Sequence, residues 1–157
     1  MSNIQYTIDE EIVFSTDEEL ISTTNLQGVI TYANDNFCRV AGYTSDELIG
    51  QNHNIVRHPD MPKEAFHDLW ENLKQRKPWR GAVKNRCKNG QYYWVDAFVT
   101  PIYEDGILTG YQSVRTTLKS EYRQRAESLY KLVRSNKKVA VLCAVSKQNF
   151  FAMLLSC

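Results

Sequence analysis

The chain of 157 residues is predicted to fold as an α+β domain, a five-stranded antiparallel sheet with short helices on one face. Three observations lead there. β-Branched runs flank Gln27-Gly28, as in a hairpin. From Trp79 to Leu118 polar and apolar residues alternate, with breaks at Lys88-Asn89-Gly90 and Glu104-Asp105-Gly106. Between these two strand regions the apolar spacing lengthens to three and four, the helical period.

Taken in order, residues 1–19 form a loosely docked N-terminal arm, ending in "STDEEL", where Ser15 or Thr16 before acids signals a helix start. "LISTTNL" and "GVITYAN" are the hairpin strands. "NDNFCRVAGY" and "TSDELIG" are short helices; Thr44 and Glu47 stand at capping-box spacing, and Gly42 and Gly50 end the two segments. The loop "NIVRHPD" leads to Pro62, at the first turn of a helix whose Ala65, Phe66, Leu69, Trp70 and Leu73 share one face. Three strands follow from Trp79. Residues 120–136 form an amphipathic helix with Tyr122, Ala126, Leu129, Leu132 and Val133 on one side, expected to leave the domain as an output helix. The tail "VAVLCAVSKQNFFAMLLSC" is apolar but broken by Lys147-Gln148-Asn149. It is short and polar for a membrane span, and a helix buried against a partner is an equal reading.

Composition narrows the function. With 43% hydrophobic and 11% aromatic residues the chain can bury a core and is not disordered by composition. A net charge of +1 leaves no electrostatic footprint for nucleic acid. The four cysteines show no zinc spacing, and the polar, acidic first twenty residues are no signal peptide, so reduced thiols in a cytoplasmic protein are expected.

Two long stretches carry a family likeness. "GVITYANDNFCRVAGYTSDELIG" and "RCKNGQYYWVDAFVTPIYEDGILTGYQSVRTTL" resemble the two halves of a PAS domain, over residues 20–119. Within it, "HNIVRHPDMPKEAFHDLW" and "KPWRGAVKNRCKNG" resemble the PAS sensor domain of bacterial aerotaxis receptors. The resemblance implies a PAS fold that binds FAD non-covalently and reports its redox state to a chemotaxis-type output. It also implies a homodimeric, cytoplasmic sensor rather than an enzyme. Such receptors continue into a membrane anchor, a HAMP segment and a coiled-coil signalling module. Residues 120–157 hold only the helix and the tail, so that output is expected in another chain or is missing.

FAD presents a flat aromatic ring, a pyrophosphate and an adenosine, so its pocket needs aromatic walls, amide donors and cations. The resemblance assigns Asn34, Arg57, His58, Asp60, Trp70, Trp79 and Asn85 to that pocket, and Phe66, on the helix face of Trp70, is expected to wall its apolar side. Arg57 can grip a phosphate bidentately, and His58 can donate beside it. Asp60 can accept from a ribose or hold Arg57. Asn34 and Asn85 match ring edges, and Trp70 and Trp79 can stack on or line the plane. Plainer readings stand beside these. Arg57 and Asp60 can be a local ion pair. Asn34 can cap the helix "DNFCRV", as Asp60 or Asn54 can cap the next one. Phe66, Trp70 and Trp79 can be ordinary core.

Other chemistries have less to stand on. No nucleophile sits beside a base, so catalysis is not expected. His53, His58 and Asp60 are a conceivable metal set without a further ligand cluster. Light-sensing flavin relatives place a cysteine where this chain has His53, in Gly50-Gln51-Asn52-His53, so no thiol adduct is expected at that position. A haem-binding PAS gas sensor would need an axial ligand such as His67, which lies toward the edge of its helix's apolar stripe. A ligand-free PAS dimerisation module is the third alternative.

Overall fold

The computed structural model describes residues 6–135, so the apolar tail lies outside the described residues. Five strands form one antiparallel sheet: β1 (Leu20–Asn25), β2 (Ile30–Ala33), β3 (Trp79–Arg86), β4 (Tyr92–Glu104) and β5 (Ile107–Thr117). Their spatial order is β2-β1-β5-β4-β3, which puts the first and last strands side by side in the middle. The helices are α1 (Asp35–Ala41), α2 (Ser45–Leu48), α3 (Lys63–Lys74) and α4 (Ser120–Arg134), with a 3-10 turn at His53–Val56. The architecture is the α+β one expected.

Side chains alternate across the sheet, so Ser22, Thr24, Trp79, Val83, Asn85, Ala97, Val99, Tyr111, Ser113 and Arg115 all turn to one face. α1, α2 and α3 cover that face. Leu20, Ile30, Phe37, Leu48, Leu73, Trp79, Tyr93 and Val95 are almost wholly buried between the layers. Thr44 caps α2 with both capping-box hydrogen bonds, which gives a helix of only four residues a defined start.

Three elements differ from the expectation. "STDEEL" makes no helix. The Ser15 hydroxyl accepts from the Asp17 amide and the Glu18 carboxylate accepts from the Ser15 amide, but Leu20 then pairs with Arg115 in the central strands. A cap cannot hold a helix whose next residues are taken by a ladder. His53–Val56, expected as loop, is a 3-10 turn; Asn52 starts it by accepting from the Asn54 amide at 3.0 Å. Finally, α4 does not project away. It folds back on the sheet face opposite α3, where Ala126 and Tyr130 are buried and Tyr130 stacks on Trp94 at 6.3 Å. Leu132, expected on the apolar side, is 51% exposed.

The arm and α4 together finish the sheet. The arm is firmly docked: Ile8 and Ile12 donate to Gly90 and Tyr92, Tyr92 donates to Glu10, and Phe14 is buried. β3 is an edge strand, a place where unpaired backbone invites aggregation. Here Tyr130 donates its hydroxyl to Ala82 O at 2.5 Å, and the Lys84 amide meets Met61 Sδ at 3.3 Å.

Candidate ligand cavity

Between the sheet and α3 lies a cavity of about 490 Å³, within the usual range for cofactor sites. The inward residues of β1, β3, β4 and β5 form its floor; Phe66, Leu69, Trp70 and Leu73 of α3 form its roof; Asn52, His53, Asn54 and Arg57 close one flank. The roof follows from helical spacing, because residues three and four apart share a face.

Arg115 is the unusual group. It is 2% exposed, and its hydrogen-bond partners among the described residues are all neutral. Nε donates to Leu20 O at 3.2 Å, Nη2 to Ser22 Oγ at 2.5 Å, and Nη1 to His53 Nε2 at 2.9 Å, while the guanidinium lies 4.3 Å from the centre of the Phe37 ring. Burial lowers its pKa to about 10. A buried cation ordinarily keeps a carboxylate. Among the described residues that line this cavity there is none.

His53 completes the cluster. Its Nε2 accepts from Arg115, so the ring is neutral and carries its proton on Nδ1. Burial first, then the charge of Arg115, pushes its pKa down to about 3. The charge of Arg57 acts on it as well, so two cations border one neutral imidazole.

Arg57 reaches the cavity with its guanidinium 3.6 Å over the Phe66 ring, and burial lowers its pKa. Its Nε is buried and has no hydrogen-bond partner among the described residues. Its backbone bridges to Asn85, which lines the cavity and is 5% exposed. Trp79 forms wall as well as core: its ring borders the cavity, and Nε1 donates to Asp68 Oδ2 at 2.7 Å. Trp70 meets Tyr111 edge-on at 5.6 Å.

Five of the eight residues singled out from sequence thus surround one cavity: Arg57, Phe66, Trp70, Trp79 and Asn85. Asn34, His58 and Asp60 do not line it, and each has another task. Asn34 is the cap of α1, accepting from Phe37 N and Ile21 N and donating to Glu19 O. His58 turns away from the cavity toward Tyr92, edge-on at 6.1 Å, and burial lowers its pKa to about 4. Asp60 pairs with Lys84 at 2.8 Å, and its carbonyl accepts from Arg134 of α4. The Arg57, His58 and Asp60 cluster, expected at one pocket, is therefore split. Arg57 faces the ligand space, whereas His58 and Asp60 face the β3 edge and α4.

Those orientations also bear on the alternatives. His53, His58 and Asp60 do not converge, and no metal-ligating trio occurs among the described residues. His67 is exposed and does not line the cavity, so the haem reading loses the ligand on which it rested. Arg115, Ser22 and Tyr111 were missed as site residues. The alternation of β5 carried the signal: Tyr111, Ser113 and Arg115 share one face of a central strand.

Comparisons with known proteins agree with this geometry. A family model described as the PAS fold matches residues 30–115. The chain is 48% identical over 137 residues to the aerotaxis receptor of Escherichia coli K12, covering 87% of this chain and 27% of that protein. It is 36% identical over 103 residues to a nitrogen fixation regulatory protein of Klebsiella pneumoniae, covering 65% and 21%. The chain therefore spans about a quarter of these relatives' length. Among solved structures, a light-oxygen-voltage domain studied with a flavin analogue superposes with a TM-score of 0.63 at 20% identity, covering 78% of this chain and 91% of that one. A PAS domain from Colwellia psychrerythraea gives 0.59 at 24% identity, covering 64% and 86%. The family match spans more than half of the chain and coincides with the sheet, the helices and the cavity between them: the chain belongs to the PAS fold family.

Proposed function

We propose that this PAS domain is the redox- or oxygen-sensing part of an energy-taxis receptor that holds FAD non-covalently in the cavity. The observation that carries the reading is the buried Arg115, a cation with only neutral partners in an aromatic-walled cavity. Three of its five N–H groups are used among the described residues, so donors remain for an electron-rich ligand edge. The partnerless Nε of Arg57 is a second such donor. Both fit a heteroaromatic ring with carbonyl acceptors, and Trp79, Trp70 and Phe66 fit its faces. When bound, a flavin supplies reversible electron uptake.

This chain's residues would then do three things. Arg115 and Arg57 favour added negative charge on the ligand. His53, kept neutral, accepts from Arg115 and holds it in place. Asn85 offers both a donor and an acceptor and can follow a change at a ring edge. The comparison with the aerotaxis receptor supports the flavin and the chemotaxis-type output. A homodimeric assembly, a cytoplasmic location and a HAMP-type partner belong to the same proposal. Among the described residues no helix is long and apolar enough to cross a membrane.

An absorption spectrum of the purified protein, with mass spectrometry of the released molecule, tests the reading. FAD should appear in the wild type and be lost in Trp79→Ala and Arg57→Ala. Full flavin occupancy in both variants would refute the pocket assignment, and a Soret band or an empty protein would refute the flavin.

A further inference from the structure

We propose that Asp68 is a positioning residue that sets the Trp79 wall of the cavity and ties that wall to α4 through Tyr130. The proposal rests on the flavin reading only in the last arm of its test.

Two constraints leave the indole one pose. Its Nε1 donates to Asp68 Oδ2 at 2.7 Å, a short, charge-assisted bond. Its six-membered ring lies against Gly81, where a methyl group would overlap it. The ring is thus pinned at one edge and pressed on the strand at the other. Asp68 itself is held on α3, because Asn72 Nδ2 donates to its carbonyl at 2.8 Å.

The next residue of β3 is where α4 is fastened. Tyr130, buried on the far face, gives its hydroxyl proton to Ala82 O at 2.5 Å. Burial, and then the charge of Asp68, raise the pKa of Tyr130, so this hydroxyl keeps the proton it gives to the strand. As the structure stands, Trp79 satisfies Asp68 and Ala82 satisfies Tyr130. A cavity occupant that shifts the indole leaves a half-buried carboxylate without its strongest donor. The indole then no longer presses on Gly81, the residue beside the strand carbonyl through which Tyr130 fastens α4. A strand carbonyl that keeps or loses the Tyr130 hydroxyl is an element with two arrangements, the kind that carries coupling between sites.

The test uses Asp68→Leu, which removes the acceptor, Asp68→Asn, which keeps an acceptor oxygen, and Trp79→Phe, which removes the donor. In the ligand-free protein the indole N–H resonance of Trp79, identified by its loss in Trp79→Phe, should move in Asp68→Leu and return most of the way in Asp68→Asn. Amide exchange in residues 126–134 should speed up about tenfold in Asp68→Leu and in Trp79→Phe, as loss of a charge-assisted bond implies. The double variant should go no further than either single one, since both break the same link. Flavin affinity should fall about tenfold in Asp68→Leu and stay within about threefold in Asp68→Asn. An unmoved indole resonance, additive exchange effects, or equal acceleration in α1 would overturn the proposal, the last by showing only global destabilisation. If every variant and the wild type fail to bind flavin, the flavin reading falls, while the first two readouts still decide the role of Asp68.

Discussion

Nη1 of Arg115 and Nε2 of His53 meet at 2.9 Å, a cation held by a neutral imidazole where a carboxylate would be the ordinary partner. The pairing has a cost in stability, because a desolvated charge regains little from neutral acceptors. It leaves the cavity electropositive, with Arg57 adding to the same side. The arrangement stabilises what binds there more than it stabilises the empty fold.

That trade gives the first prediction. Arg115→Met should raise the stability of the ligand-free protein by about 1 kcal/mol, since a hydrophobe of similar length replaces an unbalanced charge. The same change should weaken flavin binding by at least about tenfold and shift the potential of any flavin that remains to more negative values. Denaturant melts of the empty protein, flavin titration and a redox titration check this. Stability lost together with binding would show that the guanidinium's hydrogen bonds outweigh its desolvation.

Much of the fold was legible because hydrophobic period and turn chemistry agree along the chain. Gln27-Gly28, Gly90 and Gly106 break the strands where the alternation itself breaks, and Thr44 and Glu47 cap as their spacing predicts. The site was legible only in part. Periodicity marked Phe66 and Trp70 as one face of a helix but could not say whether that face met a cavity or solid core. Arg57, His58 and Asp60 are near in sequence, yet consecutive backbone positions point to different sides, so nearness did not make one site. Arg115 and Ser22 are 93 residues apart and meet only through the pairing of β1 with β5. A strong local cap such as "STDEEL" misled for the converse reason: long-range strand pairing overrode it.

Asn34 illustrates how a residue can matter to a cavity without touching it. Its side chain joins the end of β2 to α1 and to the start of β1 through three hydrogen bonds of 2.9 to 3.0 Å. Asn34→Ala should cost about 2–3 kcal/mol, as for a lost cap with a further buried amide left unpaired. Flavin loss should follow unfolding, so affinity per folded molecule at low temperature should match the wild type. A folded Asn34→Ala protein with specifically weakened binding would return Asn34 to the pocket.

Acid should destabilise the domain through His53 and His58. Both sit below their ordinary value of 6.5, His53 at about 3 and His58 at about 4. As pH falls from 6.5 toward 4, the unfolded chain therefore binds more protons than the folded one. The stability supplied by the neutral rings is complete above 6.5 and drains below it, by about 1.4 kcal/mol per pH unit for each histidine. Melting midpoints measured from pH 7 to pH 4 should fall less steeply in His53→Gln, which keeps an acceptor for Arg115. Parallel slopes in the two proteins would mean that His53 is already charged in the folded state.

The N-terminal arm should contribute through one apolar anchor rather than through its ion pair. Phe14 is 8% exposed, whereas Glu11, paired with Arg123 of α4, keeps a quarter of its side chain in solvent. Phe14→Ala should therefore cost about 3 kcal/mol or more, and Glu11→Ala less than about 1 kcal/mol. Because Tyr92 donates its amide to Glu10 O, detachment of the arm has a local reporter. Exchange at the Tyr92 amide should accelerate in Phe14→Ala well before the domain unfolds and stay near the wild-type rate in Glu11→Ala. The reverse order would mean that the charge pair, and through it α4, holds the arm in place.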